Sequence, residues 1–455
     1  MDNKTTVGND AIRSLFDAGT FVEIGAYVRA ASADACTGLI CGYGSIDGKL
    51  TFAFAQDMDR MKGALDEAGA KKLRAIYDMA LKNGAPVVGM FDSVGATVTD
   101  GASVLSAYGK LLKVVSDASG VIPQIAIING VCAGMAATVA AMFDVIVTVK
   151  GQSELYVNAP FLAGKEIGTA DYTAVNGLAT IAAENETDAL ARAIQLVYML
   201  PSNCQEEVVV EDIIDDINRV ATIDGLSGKD LAEALCDAGT FVSLGDAYAT
   251  EMVTGIASFG GVTCGIVAND ASVNGGVITC EGAKKAAKLV SFCDSFSIPV
   301  VTLVDSIGVA TDKEAEGAPL AAQLGKLAMA YATANTAKIG VVCGKAYGAA
   351  FTLMGSKALG ADMVYALPTS EISVMAPASA VAFLWNDKIT EKVSRADLQA
   401  KWAKECASPE AAAADGSIDD VVASAELRQR ICAAVYMLMM KNAGAPARKH
   451  CNLPL

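Results

Sequence analysis

The sequence predicts an α/β fold built as two tandem copies of one unit. Short apolar runs of strand length alternate with longer helix-like runs along the chain, which is typical of buried parallel strands joined by helices. A series of motifs in the first half recurs in the same order in the second half. The 455 residues also suit two domains of roughly 220 residues, each large enough to bury a core.

The repeat begins near the start of each half. Residues 14–25 read SLFDAGTFVEIG, and residues 234–245 read ALCDAGTFVSLG. In both copies an apolar strand ending in Asp, Ser and Gly follows, as APVVGMFDSVG at residues 85–95 and IPVVTLVDSIG at residues 298–308. Self-similarity of this kind indicates one structural unit written twice.

A polar and acidic stretch separates the two copies. The sequence LPSNCQEEVVVEDIIDDINR occupies residues 200–219, and we expect the linker near residues 201–228. We therefore predict an N-terminal domain at residues 1–215 and a C-terminal domain at residues 216–455. Residues 426–442 predict a terminal helix whose apolar face packs on its own domain or on a partner subunit.

The chain is organised around residues 119–149, SGVIPQIAIINGVCAGMAATVAAMFDVIVTV. The pattern predicts a buried strand at residues 124–128, a glycine-containing turn at residues 129–134, a short apolar helix and a second strand. Residues 337–367, AKIGVVCGKAYGAAFTLMGSKALGADMVYAL, repeat the same order. Both copies are therefore expected to place a helix start directly after a strand.

Glycines mark this turn in both copies. Gly130 and Gly344 are expected to follow the strand, and Gly134 and Gly348 come four residues later, where the helix begins. A helix start carries free backbone N–H groups and the positive end of the helix dipole. Small residues also allow an anionic ligand to come close.

Cysteine usage and charge exclude several classes of function. Twelve cysteines without a C-x-x-C pair predict reduced thiols in the cytoplasm and no zinc site. The N-terminus has no secretory signal pattern, and the apolar run at residues 131–143 is shorter than a membrane-spanning helix requires. A net charge of −16 disfavours nucleic acid and anionic membranes as principal partners.

The histidine content limits the chemistry further. His450, five residues from the C-terminus, is the single histidine of the chain. Ser-His-Asp and Cys-His machinery are therefore excluded, and a histidine base is not expected. Catalysis has to depend on carboxylates, hydroxyls, lysines or the backbone.

Several blocks in a fixed order resemble one known family over nearly the whole chain. They are LFDAGTFVEIG, DSVGATVTDG, SGVIPQI with its glycine turn, LPSNCQEE, CEGAKKAAKLVSFCDSFSIPVVTLVDSIG, KAYGAAF and GADMVYALPTSEISVMAP. The chain resembles the carboxyltransferase family of biotin-dependent carboxylases and acyl-CoA decarboxylases. This resemblance implies two tandem crotonase-like domains, a short-chain acyl-CoA such as methylmalonyl-, malonyl-, propionyl- or glutaconyl-CoA as substrate, and biotin on a separate carrier protein.

The resemblance also implies where the charge of the reaction is stabilised. Carboxyl transfer passes through an enolate on the thioester side and an anion on the biotin side, and backbone N–H groups can stabilise both. In the family, one donor pair lies at the first glycine turn, here Gly134 and Met135. The second lies at the other turn, here among Gly348, Ala349 and Ala350.

Further positions are implied to contact acyl-CoA or biotin. They are Ser93, Val94, Gly95 and Ala96 in the first-half loop, Gly308 and Val309 in the second-half loop, and Lys345 and Tyr347 before the second turn. A solvated lysine and a core tyrosine remain equally good interpretations of the last two. The family also implies a dimer-based homo-oligomer, commonly a hexamer, with biotin carboxylase or membrane decarboxylase subunits as further partners.

For several other polar residues we predict structural roles. Asp92 and Asp305 end strands, so we expect them to cap a turn or a helix. The lysine pairs at residues 71–72 and 284–285 are expected to be charges on helix surfaces.

Departures from the family pattern leave two alternatives open. The usual Ser-Gly-Gly-Ala-Arg loop has Val94 and Thr97 in place of a glycine and the arginine, and Met135 replaces a glycine. A non-catalytic subunit of a carboxylase or decarboxylase complex is therefore an alternative. A crotonase-type hydratase or isomerase is disfavoured, because residues 130–143 and 344–354 contain no carboxylate.

Overall fold

The computed structural model describes residues 10–29, 37–206, 209–441 and 454. The chain divides into two compact units, residues 1–207 and 208–455. This division does not test where two independently folding domains would separate. The domain boundary at residues 215/216 therefore stays a prediction. We describe each unit by itself.

The first unit contains one sheet surrounded by helices. Its described strands are β1 (Val22–Glu23), β2 (Leu39–Ile46), β3 (Lys49–Gln56), β4 (Val87–Ser93), β5 (Gln124–Ala133), β6 (Val145–Val149), β7 (Glu154–Tyr156) and β8 (Ile181–Ala183). Its described helices are α1 (Asp10–Ser14), α2 (Glu67–Asn83), α3 (Ala102–Ala118), α4 (Met135–Ala140), α5 (Pro160–Ala163), α6 (Ala170–Val175) and α7 (Glu186–Met199).

The second unit repeats this arrangement. Its described strands are β9 (Val242–Ser243), β10 (Met252–Phe259), β11 (Val262–Asn269), β12 (Val300–Ser306), β13 (Lys338–Tyr347), β14 (Met363–Ala366), β15 (Glu371–Ser373) and β16 (Asp420–Val421). Its described helices are α8 (Gly228–Leu235), α9 (Cys280–Ser295), α10 (Lys313–Gly317), α11 (Leu320–Thr333), α12 (Ala349–Leu353), α13 (Pro377–Leu384), α14 (Arg395–Cys406), α15 (Pro409–Ala414) and α16 (Ser424–Leu438).

The two sheets have matching topology. The first runs in the order β1-β2-β3-β4-β5-β6-β8, and the second in the order β9-β10-β11-β12-β13-β14-β16. The first three strands of each sheet are antiparallel and the remainder are parallel. In each unit a short strand, β7 or β15, pairs with the end of the long central strand. The predicted α/β repeat is confirmed.

The long helices begin and end where their sequences predict. Asp66 accepts the Gly69 N–H at the start of α2, and Gly84, with a left-handed backbone, ends that helix. In the second unit, Thr279 caps α9 in the same way by accepting the Gly282 N–H. These helices cover the buried faces of the two sheets, whose parallel strands are almost entirely inaccessible.

The predicted terminal helix packs on its own unit. In α16, Leu427, Ile431 and Val435 join the core of the second unit. Arg428 on the same helix is completely buried, and its guanidinium donates to the Asp237 carboxylate at 2.6 Å. An ion pair therefore lies inside an otherwise apolar core.

The two central strands are longer than predicted. β5 continues to Ala133 and β13 to Tyr347, so Gly130 and Gly344 lie inside these strands and do not follow them. The pairing with the neighbouring strand is irregular there, between Phe91 and Ser93 in the first unit. This irregularity is a bulge, which the period of the apolar residues does not reveal.

Asp92 and Asp305 hold these bulges in place. Asp92 accepts the Val131 N–H at 3.1 Å, and Asp305 accepts the Lys345 N–H at 2.8 Å. Burial raises the pKa of the Asp92 carboxyl, partly offset by this hydrogen bond. The prediction that these residues cap turns or helices was wrong, because their partners lie on an adjacent strand.

The lysine pairs also differ from expectation. Lys72 is buried and donates to the Leu39 carbonyl at 2.7 Å. Lys285 donates to the carbonyls of Gly245 and Tyr248, both at 2.7 Å. Only the first lysine of each pair is an exposed helix-surface charge, because the second satisfies backbone carbonyls, in β2 for Lys72 and in a loop for Lys285.

Candidate functional site

Each unit has a glycine turn where the central strand meets a short helix. Gly134 has φ 60° and ψ −124°, and Gly348 has φ 56° and ψ −125°. Residues with a side chain rarely adopt this backbone conformation. Helices α4 and α12 begin directly after these glycines, as the sequence predicted.

The two glycines use their own N–H groups within the fold. Gly134 donates to the Tyr156 carbonyl at 3.0 Å, and Gly348 donates to the Ser373 carbonyl at 2.9 Å. Each N–H is therefore already hydrogen-bonded within its own unit, and a donor role for the two glycines stays a prediction. Within the fold, their contribution is conformational.

The N–H groups that remain belong to the next residues. Glycine has no side chain to cap the helix, and no side-chain cap is present at either start. Within the described residues, the N–H groups of Met135, Ala349 and Ala350 have no hydrogen-bond partner. They lie in the first helical turn, where the dipole is positive.

The loop after β4 lies against the first turn. Ser93 is fully buried, and its Oγ accepts the Gly95 N–H at 3.0 Å. A Cβ added to Gly95 would lie 3.2 Å from the Ala133 carbonyl oxygen, so the loop passes close to the end of β5. Ala96 pairs with Leu65 as an isolated parallel bridge. The predicted segment from Ser93 to Ala96 therefore borders the first turn.

The second unit repeats this loop. Ser306 Oγ accepts the Gly308 N–H at 3.2 Å, and Val309 pairs with Ile278 as Ala96 does with Leu65. A Cβ on Gly308 would lie 3.9 Å from the Tyr347 carbonyl oxygen. Gly308 and Val309 thus border the second turn.

Departures from the family pattern have distinct structural consequences. The Val94 side chain is 44% exposed, whereas Met135 is half-buried and packs against the core of the first unit. Part of the Met135 side chain therefore contacts this core and is not exposed to solvent. Thr97 Oγ1 is buried without a hydrogen-bond partner, so the position of the usual arginine carries an unsatisfied hydroxyl.

Tyr347 and Lys345, near the end of β13, differ in burial. Tyr347 is only 6% exposed, and its hydroxyl donates to the Glu371 carboxylate. Burial, followed by the effect of Glu371, raises the pKa of Tyr347. The Lys345 side chain is exposed. A core tyrosine is thus the better interpretation of Tyr347, and Lys345 is free to meet a ligand.

A cavity of about 530 Å³ lies beside the second turn. Gly348 and Phe351 form one wall and Ser373 and Val374 another, and Cys406 at the end of α14 closes it. Cys406 is exposed. The cavity gives a ligand access to the start of α12.

A turn with a left-handed backbone lies against each loop, and the sequence analysis did not predict it. Met61, Lys62 and Gly63 all have positive φ, as do the residues of the second-unit turn, Asn274–Gly276. A Cβ on Gly63 would lie 1.8 Å from the Asp92 carbonyl oxygen. The Asn-Gly-Gly sequence is a turn signal, but Met-Lys-Gly is not.

Exposed apolar side chains accompany both turns. Helix α5, after β7, exposes Phe161 and Leu162 by 84% and 73%, and α13, after β15, exposes Phe383 and Leu384 by 81% and 50%. Patches of this kind mark surfaces that bind other molecules.

Three further observations limit the site. His450 lies outside the described residues. Among the described side chains, no group of three or more metal-ligand types could hold an ion. No helix in the described part of the chain has the length and apolar character needed to cross a membrane.

Comparisons with known proteins agree with this geometry. The model of the carboxyl transferase domain family matches residues 3–453. Methylmalonyl-CoA decarboxylase subunit alpha of Veillonella parvula is 35% identical, over 98% of this chain and 92% of that protein. Propionyl-CoA carboxylase beta chain of Roseobacter denitrificans is 34% identical, over 97% of this chain and 92% of that protein.

One solved structure is similar over nearly the whole chain. It is a transcarboxylase 12S, described as a hexamer with methylmalonyl-coenzyme A and methylmalonic acid bound. It has 33% sequence identity and a TM-score of 0.92, with 98% of this chain and 92% of that chain covered.

Proposed function

This chain belongs to the carboxyl transferase family, and from that premise we propose that it moves a carboxyl group between a short-chain acyl-CoA and biotin on a separate carrier protein. The observation that carries the proposal is the match over residues 3–453. The relatives that cover the chain are named for methylmalonyl-CoA and propionyl-CoA. We therefore take one of this pair, or malonyl- or glutaconyl-CoA, as the acyl substrate.

The reaction needs two sites that stabilise negative charge on oxygen. Carboxyl transfer breaks the C–C bond at the thioester α-carbon and forms an N–C bond at the biotin ureido nitrogen, or the reverse. An enolate oxygen and the ureido oxygen carry the charge in turn. Preformed N–H donors stabilise such oxygens without titrating, and each contributes on the order of 10²–10³ in rate.

We propose that the two glycine turns supply these donors. In the first unit the donor is the Met135 N–H, and in the second it is the N–H of Ala349 or Ala350. Support comes from the glycine backbone, which leaves these groups unpaired. The cavity beside Gly348 supports access to the second turn.

We propose that contacts to acyl-CoA and biotin come from the bordering loops. The candidates in the first unit are Ser93, Val94, Gly95 and Ala96. Gly308, Val309 and the exposed Lys345 are candidates in the second. Tyr347 contributes packing and not a ligand contact in this proposal, because it is buried against Glu371.

The proposal includes a homo-oligomer, with a hexamer as the expected state. Exposed apolar side chains on α5 and α13 support it, since burying them in water-excluding contacts is favourable. The related transcarboxylase 12S is described as a hexamer. The related decarboxylase subunit also makes membrane-bound decarboxylase subunits candidate partners, with biotin carboxylase subunits as the counterpart in a carboxylase.

A turnover assay tests this function. Purified protein is incubated with malonyl-, methylmalonyl- or glutaconyl-CoA and free biotin, and loss of the carboxylated CoA is followed. We expect turnover with at least one of the three. Absence of turnover with all of them, from a folded oligomer, would contradict the enzymatic proposal.

The second candidate is a non-catalytic subunit of the same kind of complex. Val94 and Thr97 favour it, because the loop loses a glycine and a cation and leaves the Thr97 hydroxyl unsatisfied. Such a subunit would still assemble and bind CoA. Binding of CoA without turnover in the assay above would favour this candidate.

A further inference from the structure

The first unit has a cavity of about 290 Å³ between the N-terminal halves of α2 and α3. It is lined by three cations, two hydroxyls and one carboxylate, besides two alanines. The cations are Lys71, Arg74 and Lys110, the hydroxyls are Ser103 and Ser106, and the carboxylate is Glu67. This charge contrasts with the net −16 of the whole chain.

Among the described residues, the three cations Lys71, Arg74 and Lys110 form no ion pair, although the Glu67 carboxylate lines the same cavity. The Nε atom of Arg74 is buried and has no hydrogen-bond partner. A buried charged donor without an acceptor is costly, so the Arg74 Nε suits an acceptor atom carried by a ligand.

Both helices begin at the same end of the cavity, since the Glu67 N–H at the start of α2 donates to Asp100 Oδ2, just before α3, at 3.3 Å. The carboxylates of Asp66, Glu67 and Asp100 at these helix starts offset the positive dipole ends. The charge that suits an anion therefore comes from the side chains of Lys71, Arg74 and Lys110.

We propose that this cavity binds a phosphate monoester. A dianionic phosphoryl group accepts several hydrogen bonds at once and matches the planar fork of Arg74. Lys71 and Lys110 supply the remaining charge, and Ser103 and Ser106 supply neutral donors. The cavity is about ten times the ~30 Å³ share of one water molecule, so it suits a phosphate carried on a larger molecule.

Two sources share this chemistry. One is the 3′-phosphate of the CoA substrate, and this source rests on the proposed function. The other is a free phosphate or nucleotide, which would bind whether or not the chain transfers carboxyl groups. The difference between them can be measured.

The second unit provides a matched control. Its GAKK and GK motifs place Lys284 and Lys326 where the first unit has Lys71 and Lys110. Ala287 stands at the position of Arg74, so the guanidinium is missing. Removing these two lysines changes the net charge as much as removing Lys71 and Lys110.

The experiment is calorimetric titration of the full chain at low salt with inorganic phosphate, 5′-AMP and 3′-AMP. Lys71→Gln, Arg74→Gln and Lys110→Gln should each weaken binding about tenfold, whereas Lys284→Gln/Lys326→Gln should leave it unchanged. Binding should weaken as chloride is raised, and below about pH 6, where a phosphate monoester dianion takes up a proton and becomes a monoanion. Circular dichroism checks that every variant is folded.

Each outcome is decisive. Tighter binding of 3′-AMP than of 5′-AMP, which carry the same charge, identifies the 3′-phosphate of CoA as the source, and similar binding of all three probes identifies a free phosphoryl group. Absence of saturable binding in the wild type, or equal affinity in Arg74→Gln, overturns the proposal. Because the readout requires no turnover, a failed transferase assay would not affect it.

Discussion

The guanidinium of Arg428 lies 2.6 Å from the carboxylate of Asp237, and neither side chain has exposed surface. Arg428 also donates to the Leu235 carbonyl at 2.7 Å. Asp237 accepts the N–H groups of Gly260 and Gly261 as well. The pair therefore joins the terminal helix α16 to the loop that opens the second repeat.

Arg428→Met should destabilise the chain strongly. The substitution leaves the Asp237 carboxylate buried without its cation, which costs about 3–5 kcal/mol. The measurement is the free energy of unfolding from denaturant titration. Arg430→Met is the control, because Arg430 is exposed and lies 3.7 Å from Glu426, and such a pair contributes about 0–1 kcal/mol. Equal losses in the two variants would contradict the prediction.

Lys285 should make stability rise with pH. Burial lowers its pKa from 10.5 to about 8, although Asp246 and Glu251 act in the opposite direction. Between these values the unfolded chain holds the proton and the folded chain does not, so the unfolding free energy increases with pH.

The test compares unfolding of the wild type and Lys285→Met from pH 7.5 to 10. Over this pH range, the unfolding free energy of the wild type should rise by about 1–3 kcal/mol relative to that of Lys285→Met. Lys284→Met, an exposed neighbour on α9, should follow the wild type across the range. A constant difference for Lys285→Met would contradict the prediction.

Gly130 and Asp92 should be energetically coupled. A Cβ on Gly130 would lie 2.4 Å from Asp92 Oδ1, so Gly130→Ala should cost about 1–3 kcal/mol through overpacking. Asp92→Ala removes the clash but leaves the Val131 N–H without its acceptor. The double variant should therefore lose less than the sum of the single variants. Gly109→Ala is the control, because no atom lies within 4 Å of its added Cβ.

Ala350→Pro should abolish most carboxyl transfer. Proline removes the N–H but is tolerated in the first turn of a helix, where Ala350 lies. We expect a rate loss of about 10²–10³, measured in the CoA assay with a thermal melt as the check on folding. Ala350→Gly keeps the N–H and should lose far less. An unchanged rate in folded Ala350→Pro would exclude this N–H as a donor.

The repeat made the fold predictable from the sequence. Because each copy repeats the strand and helix patterns of the other, patterns that are weak alone together predict one α/β unit. The resemblance identified the family. The family match confirms the carboxyltransferase prediction, and the transcarboxylase 12S similarity confirms the tandem crotonase-like fold. The turns at Gly134 and Gly348 were also located correctly.

Contacts between distant residues were not predictable in the same way. Asp92 stands at the end of a predicted strand, so a cap was the natural interpretation, yet its acceptor role is set by Val131 on the next strand. The sequence predicts helix-surface positions for Lys72 and Lys285. Their burial is explained by distant backbone carbonyls that they satisfy, in β2 for Lys72 and in a loop for Lys285. The Gly134 N–H is used by Tyr156 because β7 returns to the central strand.

The exposed thiol of Cys406 allows binding in the cavity beside Gly348 to be observed. Of the ten cysteines within the described residues, it is the one that is exposed, while Cys36 and Cys451 lie outside them. After Cys36→Ser and Cys451→Ser, a maleimide fluorophore would attach at the wall that faces Gly348. The native chain thus carries its own labelling position, from which occupancy of this cavity could be followed in real time by emission.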